Sequence, residues 1–148
     1  MKLGDFVESG TNEVRQLWTY AHVPGKKYIG KAVFVLTSKR TGSGAESFVS
    51  DLKRLKRASL IGETTAGATL PGGSQRVNEH FSIWISTGRS STGKPEQENK
   101  GIAPDTATTA QEALNEAHRQ ALDQLIQSSS DPGWKAELVK VRATLNVH

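Results

Sequence analysis

The chain has 148 residues, 35% of them hydrophobic and 23% charged, with a formal net charge of +4 and no cysteine. That length and balance suit one soluble globular domain with enough core to fold alone. They exclude disulfides, thiolate metal sites and a cysteine nucleophile, and no apolar run approaches the ~18 residues of a membrane-spanning helix.

Met1 is followed by Lys2-Leu3-Gly4-Asp5 with no apolar region behind it, so no secretory signal is expected there. Residues 1–30 are weakly patterned; residues 17–20 suggest a short strand, and Pro24-Gly25 a turn after it. The first strong element is residues 32–37, a continuous apolar run with β-branched members, as expected of a strand buried on both faces of a parallel sheet. A polar turn then leads into a helix over residues 44–57, with Phe48, Leu52 and Leu55 spaced to share its buried face. Residues 58–62 read as a second buried strand, which completes a βαβ unit.

A Gly-rich loop over residues 63–74 follows. It lacks the Lys-Ser/Thr ending of a phosphate-binding loop. Phe81, Ile83 and Ile85 alternate with polar or amphipathic neighbours, a strand pattern, and with Val77 they suggest an antiparallel hairpin turning at residues 78–80. Residues 88–105 form a long polar loop of the kind that often carries function. Thr109 to Glu112 is a capping box, ahead of a helix with an apolar face of Leu114, Ala117, Ala121, Leu122 and Leu125. Residues 128–133 end it, and residues 134–146 suggest a terminal helix. Lys53, Arg54, Lys56 and Arg57 gather at the end of the first helix, where cations complement the macrodipole. With no nucleic-acid motif beside them, no nucleic-acid partner is expected.

Ser43 is the candidate for chemistry. It follows a buried strand and opens a helix, where free N–H groups and partial positive charge can stabilise an oxyanion. Gly42 and Gly44 let the backbone turn sharply beside it. Local pattern alone favours a humbler role, because Ser43-Gly44-Ala45-Glu46 is also a capping box. Nor do the neighbours form a G-x-S-x-G elbow, since Thr41 and Ala45 hold the outer positions.

The wider pattern changes this balance. Tyr28-Ile29-Gly30-Lys31, the strand after it, and Thr37-Ser38-x-x-Thr41-x-Ser43-x-Ala45-Glu46-x-Phe48 resemble the nucleophile block of the C-terminal-processing (tail-specific) serine peptidases. The similarity continues through Leu52, Leu55, Arg57-Ala58 and Ile61-Gly62-Glu63-Thr64-Thr65-Ala66-Gly67. It resumes at Glu98-Asn99-x-Gly101-Ile102-x-Pro104-Asp105. It covers residues 17–125 in the right order and is nearest the branch that includes the repeats of interphotoreceptor retinoid-binding protein and the tricorn protease core.

The resemblance implies an α/β fold, the C-terminal part of a crotonase/Clp-like spiral peptidase core, with a βαβ unit, a β-hairpin and a C-terminal helix. It implies Ser43 as nucleophile, the Gly44 N–H as an oxyanion donor and Glu98 as the carboxylate that supports a histidine base. It implies no metal or cofactor. Members with a Ser–Lys dyad carry the base lysine directly after the glycine matched by Gly67; Ala68 stands there, so a Ser–His–Glu arrangement fits better. That histidine lies well upstream in the family, beyond the 42 residues that precede Ser43. His22, His80 and His118 read as surface or boundary residues. The expected organisation is an N-terminal segment over 1–30, the peptidase portion over 31–127, and a linker with terminal helix over 128–148. The implied function is that of a serine endopeptidase with a protein or peptide substrate; the alternatives are a non-catalytic binding module for an apolar ligand or peptide on the same scaffold, or an inactive fragment. A partial spiral exposes core surface, which favours self-association.

Overall fold

The computed structural model describes residues 1–11, 13–90 and 100–145. Strand β3 (Phe34–Thr37), helix α1 (Gly44–Arg54) and strand β4 (Ser59–Gly62) form the expected βαβ unit, with β3 and β4 parallel and Phe34 opposite Ser59. Strand β8 (Thr106–Ala107) adds to the other edge of β4, again in parallel, giving the order β3-β4-β8. Leu60 and Ile61 of the central strand are both fully buried. Their side chains face opposite ways, as successive strand residues must. Leu60 packs with Val49 of α1 and with Ile102, with Val35 against them; Ile61 packs with Ala113 and Ala117, with Phe34 against them. One layer of helix therefore covers each face of the sheet.

Ala113 and Ala117 belong to α2 (Ala113–Ser128). The Thr109 hydroxyl accepts the Glu112 N–H at 3.3 Å, one limb of the expected capping box, just before this helix. Helix α3 (Pro132–Thr144) begins two residues before its expected start. Asp131 caps it, its Oδ1 accepting from the Gly133 and Trp134 N–H groups, and Pro132 occupies a first-turn position that needs no donor. Arg142 of α3 reaches back to Asp123 of α2 at 2.8 Å.

Three expectations need correction. The start of the chain is more regular than its pattern suggests. Strand β1 (Lys2–Glu8) pairs antiparallel with β2 (Val14–Trp18) on one side and with β7 (Gly88–Ser90) on the other. All five residues of β2 are exposed, so no buried face imposes an alternation that could be read. The second correction is β3, which lies at an edge, with Leu36 43% exposed, and is not buried on both faces. The third is α1, which ends at Arg54 and buries Glu46 and Val49, while Phe48 is 59% exposed.

The hairpin forms from β5 (Gly72–Arg76) and β6 (Ser82–Ser86), closed by Val77 N–H to the Phe81 carbonyl, so its first strand runs before Val77. Gly72 is required there, since a Cβ would stand 2.5 Å from the Trp84 ring. Among the described residues no helix is long and apolar enough to cross a membrane.

Candidate active site

The parallel strands β3 and β4 end side by side. The Glu63 N–H donates to the Thr37 carbonyl, and the Thr37 hydroxyl donates to the Glu63 carbonyl at 2.8 Å. Gly62 makes this approach feasible: its φ is +133°, and a Cβ would lie 2.1 Å from the Thr37 oxygen. Beyond Thr37 the chain folds into a tight turn in which Ser38 N–H donates to the Thr41 hydroxyl and Thr41 N–H to the Ser38 carbonyl. Residues 41–44 then turn into α1 at the carboxyl ends of the parallel strands, where ligands of such sheets bind.

Ser43 sits at φ 55°, ψ −126°, a backbone conformation that side-chain-bearing residues rarely adopt. Such a residue costs of order 1–3 kcal/mol and persists only where its surroundings enforce it. The surroundings do so here, because Ser43 N–H donates to the Ala68 carbonyl at 2.9 Å and Ala66 N–H to the Thr41 carbonyl at 2.8 Å. The Ser43 side chain makes no capping bond, and Glu46 does not reach back to the Ser43 N–H. The capping box that the local sequence spells is not formed. What remains is an exposed hydroxyl on a constrained strand-to-helix turn.

Gly44 is the first residue of α1, and among the described residues no acceptor meets its N–H. The positions after it are engaged: Ala45 N–H donates to the Gly42 carbonyl, and Glu46 and Ser47 N–H to the Ser43 carbonyl. A Cβ on Gly44 would meet nothing within 4 Å. The turn therefore presents one hydroxyl, one free N–H and the positive end of a helix dipole to open space.

Glu46 braces this turn from beneath, a role its place in a capping-box pattern conceals. It is 0% exposed. Its Oε1 accepts from the Thr65 hydroxyl and from Gly67 N–H, while the Thr65 hydroxyl accepts Ile102 N–H at 2.7 Å. Oε2 is buried without a hydrogen-bond partner among the described residues, and would stand 4.0 Å from a Cβ at Gly42. One carboxylate thus ties the helix start to the loop after β4 and, through Thr65, to the Gly101-Ile102 segment. Gly101 is also forced, with φ +71° and a Cβ position 2.1 Å from the Thr65 oxygen. The signal that could have found Glu46 is the pairing of Thr65 and Gly67 in the block 61–67.

Asp105 closes the block that begins at Gly101. Its Oδ2 accepts the Leu60 N–H at 2.8 Å and its Oδ1 pairs with Lys53 at 3.1 Å. The Leu60 bond, with help from Lys53 against partial burial, holds this carboxyl below the usual carboxylate range. Its work is to pin the segment before β8 onto β4 and α1.

Of the other expected site residues, Glu98 lies outside the described residues. Ala68 abuts the Ser43 turn through its carbonyl and supplies no amine. His22, His80 and His118 are exposed, and none hydrogen-bonds to Ser43. His80 instead faces Glu79 in the hairpin turn. Among the described residues no group of three or more acidic or histidine side chains could hold a metal ion.

The sequence model of peptidase family S41 matches residues 6–108. The chain belongs to peptidase family S41. The match runs from β1 through β8 and takes in the whole Ser43 turn, in keeping with the similarity to C-terminal-processing peptidases read from the sequence. Among solved structures, a lipoprotein from Streptococcus agalactiae aligns with a TM-score of 0.57 at 18% identity, over 84% of this chain and 45% of that one. The photosystem II D1 C-terminal processing protease aligns with a TM-score of 0.44 at 23% identity, over 55% of this chain and 21% of that one. At such identities the lipoprotein likeness is one of fold. The S41 chain described here is a partial α/β peptidase core that spans less than half the length of either protein.

Proposed function

We propose that this chain carries the nucleophile-bearing part of a serine endopeptidase that cleaves protein substrates near their C-termini. Ser43 Oγ attacks the scissile carbonyl and passes its proton to a base. The oxyanion that forms accepts a hydrogen bond from Gly44 N–H. Collapse expels the amine, which takes the proton, and leaves an acyl-Ser43 ester for water to hydrolyse. The base in this reading is a histidine supplied from outside the chain and oriented by Glu98. Residues 31–127 form the peptidase portion, flanked by 1–30 and 128–148.

The observation that carries the reading is the Ser43 turn itself, a strained φ with a hydroxyl and a neighbouring N–H that have no partner among the described residues. A cap would have spent the hydroxyl on the helix. Fluorophosphonate labelling tests it. Ser43 is expected to react faster than the other serines, and a chain no more reactive than Ser43→Ala would exclude catalysis by this chain.

A binding module for an apolar ligand is the second reading, and the hairpin favours it. Phe81, Ile83 and Trp84 stand 68%, 50% and 58% exposed there. Saturable quenching of tryptophan by retinol or a fatty acid would support that reading, and its absence at micromolar ligand would dismiss it.

A further inference from the structure

The opposite end of the parallel sheet holds a cavity of about 510 Å³, within the range of small-molecule sites. It opens at the amino ends of β3 and β4, beside Val33 and Ser59, away from Ser43. Four cations line it, Lys31, Lys53, Lys56 and Arg57, against the single carboxylate of Asp105. Asp105 answers Lys53. The Arg57 guanidinium rests on two neutral carbonyls, of Tyr28 and Lys31, and Lys31 stands over the Tyr28 ring at 4.9 Å. Lys56 has no ion-pair or hydrogen-bond partner for its ammonium among the described residues.

The C-terminus of α1 does not account for this charge. A helix end offers about half an elementary negative charge. Lys31 comes from the loop before β3, and Arg57 is turned onto that same loop. Lys56 adds an independent observation. It occupies the residue after the C-cap at φ 50°, where Arg57 N–H returns to the Leu52 carbonyl. Glycine is the usual occupant of this closing position because it adopts such a φ without strain. A lysine held there lines the cavity at a conformational cost that glycine would not carry.

We propose that this cavity binds a polyvalent phosphate group, with Lys56 and Lys31 as cations that have no carboxylate partner among the described residues and Arg57 as a fixed donor. Arg and Lys together suit such an anion, one by its planar fork and the other as a mobile point charge. The site is separate from Ser43 and stands whether or not Ser43 is catalytic.

The test is calorimetric titration of the full chain with inorganic pyrophosphate at low and physiological salt. Saturable binding is expected, weaker at higher salt. Lys56→Gly and Lys31→Ala are each expected to weaken it roughly two- to fivefold, the size of one lost charge contact. Lys140→Ala, which removes a cation paired with Glu137 on α3, should leave it unchanged. Lys56→Gly should melt at the same or a higher temperature, so its weaker binding would not be unfolding. Phosphatidylcholine vesicles doped with phosphatidylinositol phosphate separate the two sources. Co-sedimentation that pyrophosphate competes away assigns a lipid headgroup; pyrophosphate binding without co-sedimentation assigns a soluble phosphate. No saturable binding, Lys56→Gly binding as tightly as the parent chain, or an equal loss in Lys140→Ala would each overturn the proposal.

Discussion

Helix α1 is bracketed by Ser43 and Lys56, the two non-glycine residues with positive φ among the described residues. Both depart from helix rules, Ser43 as a capping residue whose side chain does not cap and Lys56 as a lysine where glycine is usual. They differ in how the surroundings hold them. Ser43 is clamped by the loop after β4 and braced by buried Glu46, whereas Lys56 closes the helix by backbone bonds and faces an open cavity. The difference teaches that a strained side chain needs a rigid seat when its geometry matters, and only a foothold when its charge does.

The brace under Ser43 offers the largest effect. Glu46→Ala would leave the Thr65 hydroxyl and the Gly67 N–H without their buried acceptor, and is expected to destabilise by about 2–4 kcal/mol in urea unfolding. Glu46→Gln keeps an acceptor and should lose less. A Glu46→Ala chain as stable as the parent would remove the brace from the account.

Asp105, near the other end of α1, should matter less. Asp105→Asn is expected to cost about 1 kcal/mol at neutral pH. The sign with pH follows from its lowered value, held down first by the Leu60 N–H. A carboxyl more acidic in the folded state stabilises above its unfolded pKa, and that contribution fades as pH falls through the folded value. The gap between parent and variant should therefore close from about pH 5 downward. A gap that widens in acid would contradict the assignment.

The smallest effects compare the two ends directly. Ser43→Gly and Lys56→Gly should each leave stability unchanged or raise it by about 0.5–1 kcal/mol, because glycine relieves the positive φ. Were Ser43 a helix cap, its replacement by alanine would cost about 1 kcal/mol. The uncapped hydroxyl seen here predicts a change near zero for Ser43→Ala.

Much of this was legible in the amino-acid order. The apolar run of β3, the turn, α1 and β4 could be read because an apolar β-branched run and an amphipathic helix between turn residues leave strong local signals. The N-terminal strands could not, since β2 meets solvent along its whole length. Phe48 looked like core and Glu46 like half of a capping box. The donors that bury Glu46 come from Thr65 and Gly67, 19 and 21 residues further on, beyond the reach of any helical pattern. For Ser43 the local pattern favoured a cap and the distant blocks favoured a nucleophile. The cap is not formed: Ser43 stands at φ 55° and its side chain makes no capping bond.

The central claim is that Ser43 is the nucleophile, and the most direct measurement is mass spectrometry of the intact chain after exposure to a fluorophosphonate. A single adduct on Ser43 that is absent from Ser43→Ala is expected. An adduct spread over other serines, or labelling as slow as that of Ser43→Ala, would contradict it.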